Sequence, residues 1–186
     1  MASTSEPRAG LKVEIEGQPY VIASIEFVKP GKGQAFNRVK LKNLLNGRVI
    51  ERTYKSGEKM ELADVVETTM RMLYREGDGI VFMDDATFDQ ITVPLESIGD
   101  SLKWLMDECA YDILIYKGSP VSVMPPTFVE MVITETAPGL RGDTSGRVLK
   151  PAKTETGADV QIPIFIEQGE KIKIDTRTGE YVSRVN

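Results

Sequence analysis

A chain of 186 residues with a net charge of −5, 41% hydrophobic and 27% charged residues can form one ordinary domain or two or three small ones. It contains no histidine, which excludes Ser-His and Cys-His nucleophile pairs, imidazole acid–base chemistry and His-ligated zinc. Its single cysteine, Cys109, excludes an internal disulfide and fits a reducing cytosol, as a small buried hydrophobe rather than a reactive thiol.

The opening Met-Ala-Ser-Thr-Ser-Glu-Pro lacks the charged start and apolar stretch of a secretory signal, and residues 1–10 read as a polar, frayed arm. No apolar run approaches the ~18 residues of a membrane span. A cytoplasmic protein without a membrane partner is therefore expected. Strands are predicted at Leu11–Glu16, Tyr20–Lys29, Ala35–Leu41 and Arg48–Tyr54. Their connections are Gly17-Gln18-Pro19, a tip at Pro30-Gly31-Lys32-Gly33, and Asn46-Gly47, the last a type I′ hairpin signal. Short strands without a helix suggest an SH3-like (KOW-like) barrel over residues 1–63. These residues carry 11 Lys/Arg against 7 Asp/Glu, a net of +4 inside an acidic protein.

Period-2 alternation in the third strand puts Arg38, Lys40 and Lys42 on one face and Val39 and Leu41 on the other. Phe36 shares the cationic parity, so a bulge or bend is expected near the tip. Three cations below a lysine-bearing tip form a candidate face for RNA phosphates. At the tip, Gly31 and Gly33 leave little to pack over Lys32 or offer it a salt bridge. The ammonium is expected to point outward at the end of a two-stranded rod.

Residues 64–127 reverse the charge, with 4 Lys/Arg against 12 Asp/Glu, a net of −8. Strands are predicted at Val65–Tyr74, Ile80–Met83 and Phe88–Thr92, then a helix over Leu95–Cys109 from the spacing of Ile98, Leu102, Leu105 and Met106, then strands at Ala110–Lys117 and Val121–Val123. That order is the order of an OB-fold barrel. Asp84-Asp85 reads as a turn rather than a metal site. With no Walker spacing around Gly31-Lys32-Gly33 either, no metal, no cofactor and no enzymatic activity are expected.

Pro125-Pro126 leads into residues 128–186, where strands at Phe128–Glu135, Val148–Lys153, Val160–Ile166, Lys171–Asp175 and Tyr181–Val185 suggest a second OB-fold barrel. The fold class is thus all-β: three small β-barrel domains at 1–63, 64–127 and 128–186. Strung together, domains of this size reach roughly 75–85 Å, an elongated arrangement suited to spanning a large partner.

Two long stretches resemble the bacterial elongation factor P family. The octapeptide Lys29-Pro30-Gly31-Lys32-Gly33-Gln34-Ala35-Phe36 resembles that family's domain I loop, whose central lysine is post-translationally modified. The run from Lys150-Pro-Ala to Gly169 is similar to its C-terminal signature at the Lys, Ala, Gly, aliphatic, Pro and final Gly positions. Phe82–Gln90 and the ending Asp175–Arg184 are also similar, so the resemblance covers nearly the whole chain after residue 8. Arg147-Val148-Leu149 departs from the Gly-rich stretch usual before Lys-Pro-Ala, and Asp85-Ala86-Thr87-Phe88 from the usual Glu-Thr-Tyr or Glu-Thr-Phe.

The resemblance implies an L-shaped tRNA mimic that enters the ribosome between the P and E sites. It would relieve stalling at consecutive prolines by stimulating peptide-bond formation. It implies a modified Lys32 near the CCA end of P-site peptidyl-tRNA, within a loop that includes Lys29, Pro30, Gly31 and Gly33. It further implies that Gly142, Asp143 and Thr144 approach mRNA at the E site, with Tyr181 and Arg184 as softer candidates. Partners would be the ribosome, the tRNA, the mRNA and a lysine-modifying enzyme, a lysyl-tRNA synthetase paralogue performing β-lysylation; the protein itself would be a monomer. Two alternatives stay open. One is an elongation factor P-like paralogue, a group that usually lacks the Pro-Gly-Lys-Gly tip and the Gly-Asp-Thr loop. The other is a general OB-fold single-strand RNA-binding protein, which would call for stacked aromatics on a basic groove.

Overall fold

The computed structural model describes residues 4–138 and 148–185. The chain divides into two compact units, one of Met1–Glu67 with Leu114–Ser122 and one of Thr68–Ile113 with Val123–Asn186.

In the first unit, β1 (Thr4–Ser5), β2 (Lys12–Ile15), β3 (Gln18–Val28), β4 (Phe36–Asn43), β5 (Val49–Lys55) and β6 (Met60–Glu61) follow in order. The strands β2-β3-β4-β5 form one antiparallel sheet, and β1 pairs with β6. The first residues are therefore not wholly a frayed arm: Thr4 and Ser5 lie opposite Glu61 and Met60. Alternation along β2, β3 and β4 sends Val13, Ile15, Ile22, Val39 and Leu41 to one side, where Met60 closes a buried core. Each such side chain taken from water stabilises the fold by roughly 1.5–3 kcal/mol before entropy is counted.

Two connections differ from the sequence reading. The β2–β3 turn is Glu16-Gly17, both at positive φ, and Gln18 and Pro19 already belong to β3. The β4–β5 loop is not a two-residue type I′ turn at Asn46-Gly47. Buried Asn43 accepts hydrogen bonds on Oδ1 from the Leu45 and Asn46 amides at 2.8 and 3.2 Å, and the Gly47 amide donates to its carbonyl at 2.9 Å. An asparagine side chain has replaced the backbone bonds of a tighter turn.

Residues Leu114–Ser122 join this unit through Glu14. Its carboxylate accepts from Lys117 Nζ at 2.9 Å and from the Tyr116 hydroxyl at 3.0 Å, and the Lys117 bond first, then that of Tyr116, holds the Glu14 pKa below its ordinary value.

The strand β7 (Val65–Glu76) leads into β8 (Gly79–Met83) and β9 (Gln90–Pro94); β10 (Ala110–Tyr116) and β11 (Ser119–Met124) complete a five-stranded sheet in the order β11-β10-β7-β8-β9. Between β9 and β10 the expected fifteen-residue helix is absent. A single turn, α1 (Leu95–Ile98), gives way to a 3-10 segment at Gly99–Trp104. Gly99 sits at φ 55°, ψ −135°, a backbone state open to glycine and closed to a continuing helix.

The last five strands, β12 (Phe128–Thr136), β13 (Leu149–Thr154), β14 (Asp159–Pro163), β15 (Lys171–Asp175) and β16 (Glu180–Arg184), close into a barrel ordered β12-β13-β14-β16-β15. Val129, Met131, Ile133, Val160, Ile162, Ile172 and Ile174 fill it, and Trp104, 3% exposed, packs into the same core. The Trp104 side chain was expected on a helix of the preceding sheet; it is instead part of the barrel's interior. The molecule is mostly β and includes a small closed barrel, as the sequence led us to expect.

The β15–β16 turn carries an acid-sensitive link. Asp175 accepts from Arg177 Nη2 at 2.7 Å, Nε at 3.0 Å and the Arg177 amide at 2.9 Å, which lowers its pKa to about 2. A carboxylate whose folded pKa is depressed stabilises fully above its unfolded value, near 3.8, and loses that contribution as pH falls toward 2. Asp175→Asn is therefore expected to flatten the pH dependence of stability between pH 4 and 2. Chemical denaturation across that window, with wild type as reference, measures it; parallel profiles would refute the assignment.

Candidate functional site

Residues 29–35 connect β3 to β4, beyond the last registered pair, Val28 opposite Phe36. Gly31, Lys32, Gly33 and Gln34 are all exposed. Gly33 adopts φ 111°, where an L side chain is strained, whereas a Cβ at Gly31 would meet nothing within 4 Å. The two glycines thus have different tasks. Gly33 sets the bend, and Gly31 keeps the surroundings of the lysine bare. Among the described residues, no carboxylate lies within salt-bridge reach of Lys32. Among the described residues the ammonium is presented without an ion-pair partner.

The support is broader than a two-stranded rod. Strand β5 follows β4 to its end, with Lys55 opposite Phe36, and the Ser56 amide donates to the Ala35 carbonyl at 3.2 Å. Three strands brace the base of the tip. Nor is there a bulge beside it: β3 and β4 are in regular register from Ser24–Lys40 to Val28–Phe36, and the irregularity lies farther back, between Ile22 and Ser24. Half-buried Phe36 keeps the parity of the cations without a break.

Along β4 the alternation holds. Arg38, Lys40 and Lys42 are exposed, and Val39, Leu41 and Asn43 are buried. The three cations are not equivalent, however. Arg38 lies opposite Glu26 on β3 and bonds it at 3.1 Å, and its Nε lies 3.4 Å from Glu51 on β5. Lys40 and Lys42 have no ion-pair partner among the described residues. Sequence reasoning missed Glu26 and Glu51 because they reach this face only through cross-strand register. The period-2 pattern of β3 and β5, laid against that of β4, was the signal available.

Tyr181 is half-buried against the barrel core, and Arg184 is exposed and paired with Glu170. Gly142, Asp143 and Thr144 lie outside the described residues. Lys150, of the C-terminal signature, is 7% exposed and donates from Nζ to the Ala137 carbonyl at 2.6 Å, so its first task is structural. Cys109 is half-buried rather than fully enclosed. Among the described residues, no group of His, Cys, Asp or Glu could hold a metal ion, and no helix is long and apolar enough to cross a membrane.

Three family patterns match the chain in succession: the elongation factor P KOW-like domain at residues 3–60, the elongation factor P OB domain at 65–123 and the elongation factor P C-terminal region at 129–184. The protein named Elongation factor P 2 of Protochlamydia amoebophila (strain UWE25) is 68% identical over 185 residues, covering 99% of this chain and 97% of that one. The chain belongs to the elongation factor P family. Elongation factor P 2 of Chlamydia pneumoniae is 60% identical over the same shares of the two chains. Among solved structures, a eukaryotic translation initiation factor 5A from Methanococcus jannaschii aligns with a TM-score of 0.51 at 23% identity, over 67% of this chain and 95% of that one. A translation initiation factor eif-5a family protein from Naegleria fowleri ATCC 30863 aligns with a TM-score of 0.52 at 15% identity, over 66% and 96%. Both describe a shared fold. Membership of the elongation factor P family makes the chain a translation factor that works with the ribosome, and the family is not one of classical enzymes.

Proposed function

We propose that this elongation factor P family member is a cytoplasmic monomer that binds between the ribosomal P and E sites and stimulates peptide-bond formation at consecutive prolines. The observation that carries the reading is Lys32: exposed, flanked by glycines, unpaired among the described residues and braced by three strands. Lys32 reaches toward the CCA end of the P-site peptidyl-tRNA and carries a modification, β-lysylation by a lysyl-tRNA synthetase paralogue. Lys29, Pro30, Gly31 and Gly33 form the loop that this enzyme must accommodate. Residues 142–144 lie near mRNA at the E site, with Tyr181 and Arg184 as further contacts. The division into domains at 1–63, 64–127 and 128–186 is supported by the three consecutive family matches.

Catalysis would belong to ribosomal RNA, and the factor would contribute positioning of the reacting ends. The test is in vitro synthesis of a peptide with three consecutive prolines, with and without protein purified from its native host. Acceleration confined to the proline run is expected, and equal rates with and without the protein would refute the reading. Intact mass of the same preparation reports whether Lys32 carries an added group.

The RNA-facing role of β4 has its own measurement. Lys40→Ala with Lys42→Ala is expected to lower the salt dependence of ribosome binding by about 0.7–0.9 for each phosphate that the strand no longer neutralises. Arg38→Ala is expected to change that slope less, because Glu26 and Glu51 already compensate the guanidinium. An unchanged slope in the folded double variant would remove this strand from the RNA interface.

A further inference from the structure

The β8–β9 loop carries a feature that neither tRNA mimicry nor the lysine tip uses. Phe88 is 71% exposed, the highest value among the large hydrophobic residues described, and its backbone sits at φ 62°. Four described non-glycine residues have positive φ; the others are Glu16, Glu108 and Lys117, so Phe88 is the one apolar member. A bulky residue in the left-handed region works against folding, and a glycine there would relieve it. With Phe88 largely exposed, burial of its ring offsets little of that cost. Strain combined with exposure is what a contact residue shows when its partner is elsewhere.

The loop's backbone beneath the ring is held in place by hydrogen bonds. Asp84 Oδ1 accepts from the amides of Ala86 and Thr87 at 2.7 and 3.2 Å. The Phe88 amide donates to the Asp84 carbonyl at 2.8 Å, and the Asp84 amide to the Asp89 carbonyl at 2.9 Å. From β7, Arg71 donates to Asp85 at 2.8 and 2.9 Å and to Glu108 at 2.7 Å. A backbone fixed in advance loses little entropy when the side chain it carries is captured.

We propose that Phe88 anchors a protein–protein contact, inserting into an apolar pocket on a basic protein surface of the ribosome. Charge decides between protein and nucleic acid. Asp84, Asp85 and Asp89 accompany Phe88 on a loop without Lys or Arg, and the nearby Arg71 is already bound to two carboxylates. Such a loop repels phosphates and complements a cationic protein. This inference rests on the ribosome as partner, so its test keeps the two apart.

The experiment compares wild type with Phe88→Gly for binding to ribosomes holding P-site tRNA, and maps photocrosslinks from Phe88→p-benzoylphenylalanine on the same ribosomes. Phe88→Gly is expected to melt at the same or a higher temperature while binding about tenfold more weakly, the effect expected of a central aromatic anchor. The crosslink is expected in a protein rather than in RNA. Unchanged affinity, a lowered melting temperature or a crosslink to RNA each overturns the proposal while leaving the ribosome reading intact. Failure of wild type to bind ribosomes overturns both.

Discussion

Replacing Lys32 by alanine is expected to abolish acceleration at proline runs while leaving the fold untouched. Lys32 and its flanking glycines are exposed, and the side chain makes no described ion pair, so the change in stability should stay within about ±0.5 kcal/mol. Ribosome affinity should fall only modestly, because one side chain at a tip contributes little of an extended interface. The rate at three consecutive prolines should drop to that measured without the factor, since positioning of the reacting ends is what the tip would supply. Lys32→Arg should fail as well: it keeps the charge, but its guanidinium is not a substrate for a lysine-directed modification. Full rescue of the stall by Lys32→Ala would show that the tip is not the working part. A large loss of stability would show that its lysine is structural after all.

The glycines of the tip allow a finer comparison. Gly31→Ala meets no atom within 4 Å, so the loop can keep its path, whereas Gly33→Ala must strain a residue at φ 111°. The reading of Gly33 as the bend and Gly31 as the clearing thus separates backbone shape from crowding around Lys32.

What could be read from residues alone follows from the range of the interaction. The β4 alternation is local, and the burial pattern repeats it residue by residue through Val39, Lys40, Leu41 and Lys42. The exposed lysine was legible for the same reason, since proline and glycine act on the chain where they stand. Arg38 was legible as a cation but not as a compensated one, because Glu26 and Glu51 arrive from neighbouring strands and only register brings them within reach. The loop after β4 was misread because a buried side chain, Asn43, closes it in place of a tight backbone turn. Phe88 was hidden differently. Its strained φ depends on how the Asp84 carboxylate folds the loop, and an aromatic residue in a sequence otherwise suggests burial.

Trp104 is the clearest case of long-range packing overriding local pattern, and it yields the largest expected effect on stability. Apolar residues at helical spacing around it suggested an amphipathic helix, but Gly99 ends the helix after one turn and only Gly99–Trp104 continue, as a 3-10 segment. That segment delivers the indole into the core formed by Val129, Met131, Ile133, Ile172 and Ile174. Thr156 fastens the approach by donating from Oγ1 to the Lys103 carbonyl at 2.6 Å. Trp104→Ala should therefore destabilise the barrel by about 3–5 kcal/mol, the transfer term of a buried indole plus the cavity it leaves. The damage should be local. Amide hydrogen exchange should quicken at Met131, Ile133, Ile172 and Ile174 while the amides of Val39 and Leu41, in the other compact unit, keep their protection. Trp104→Phe should restore part of that stability by refilling the space. Unchanged protection across the barrel in Trp104→Ala would mean that the strands hold without the indole, and that the segment before β10 is a connector rather than part of the core.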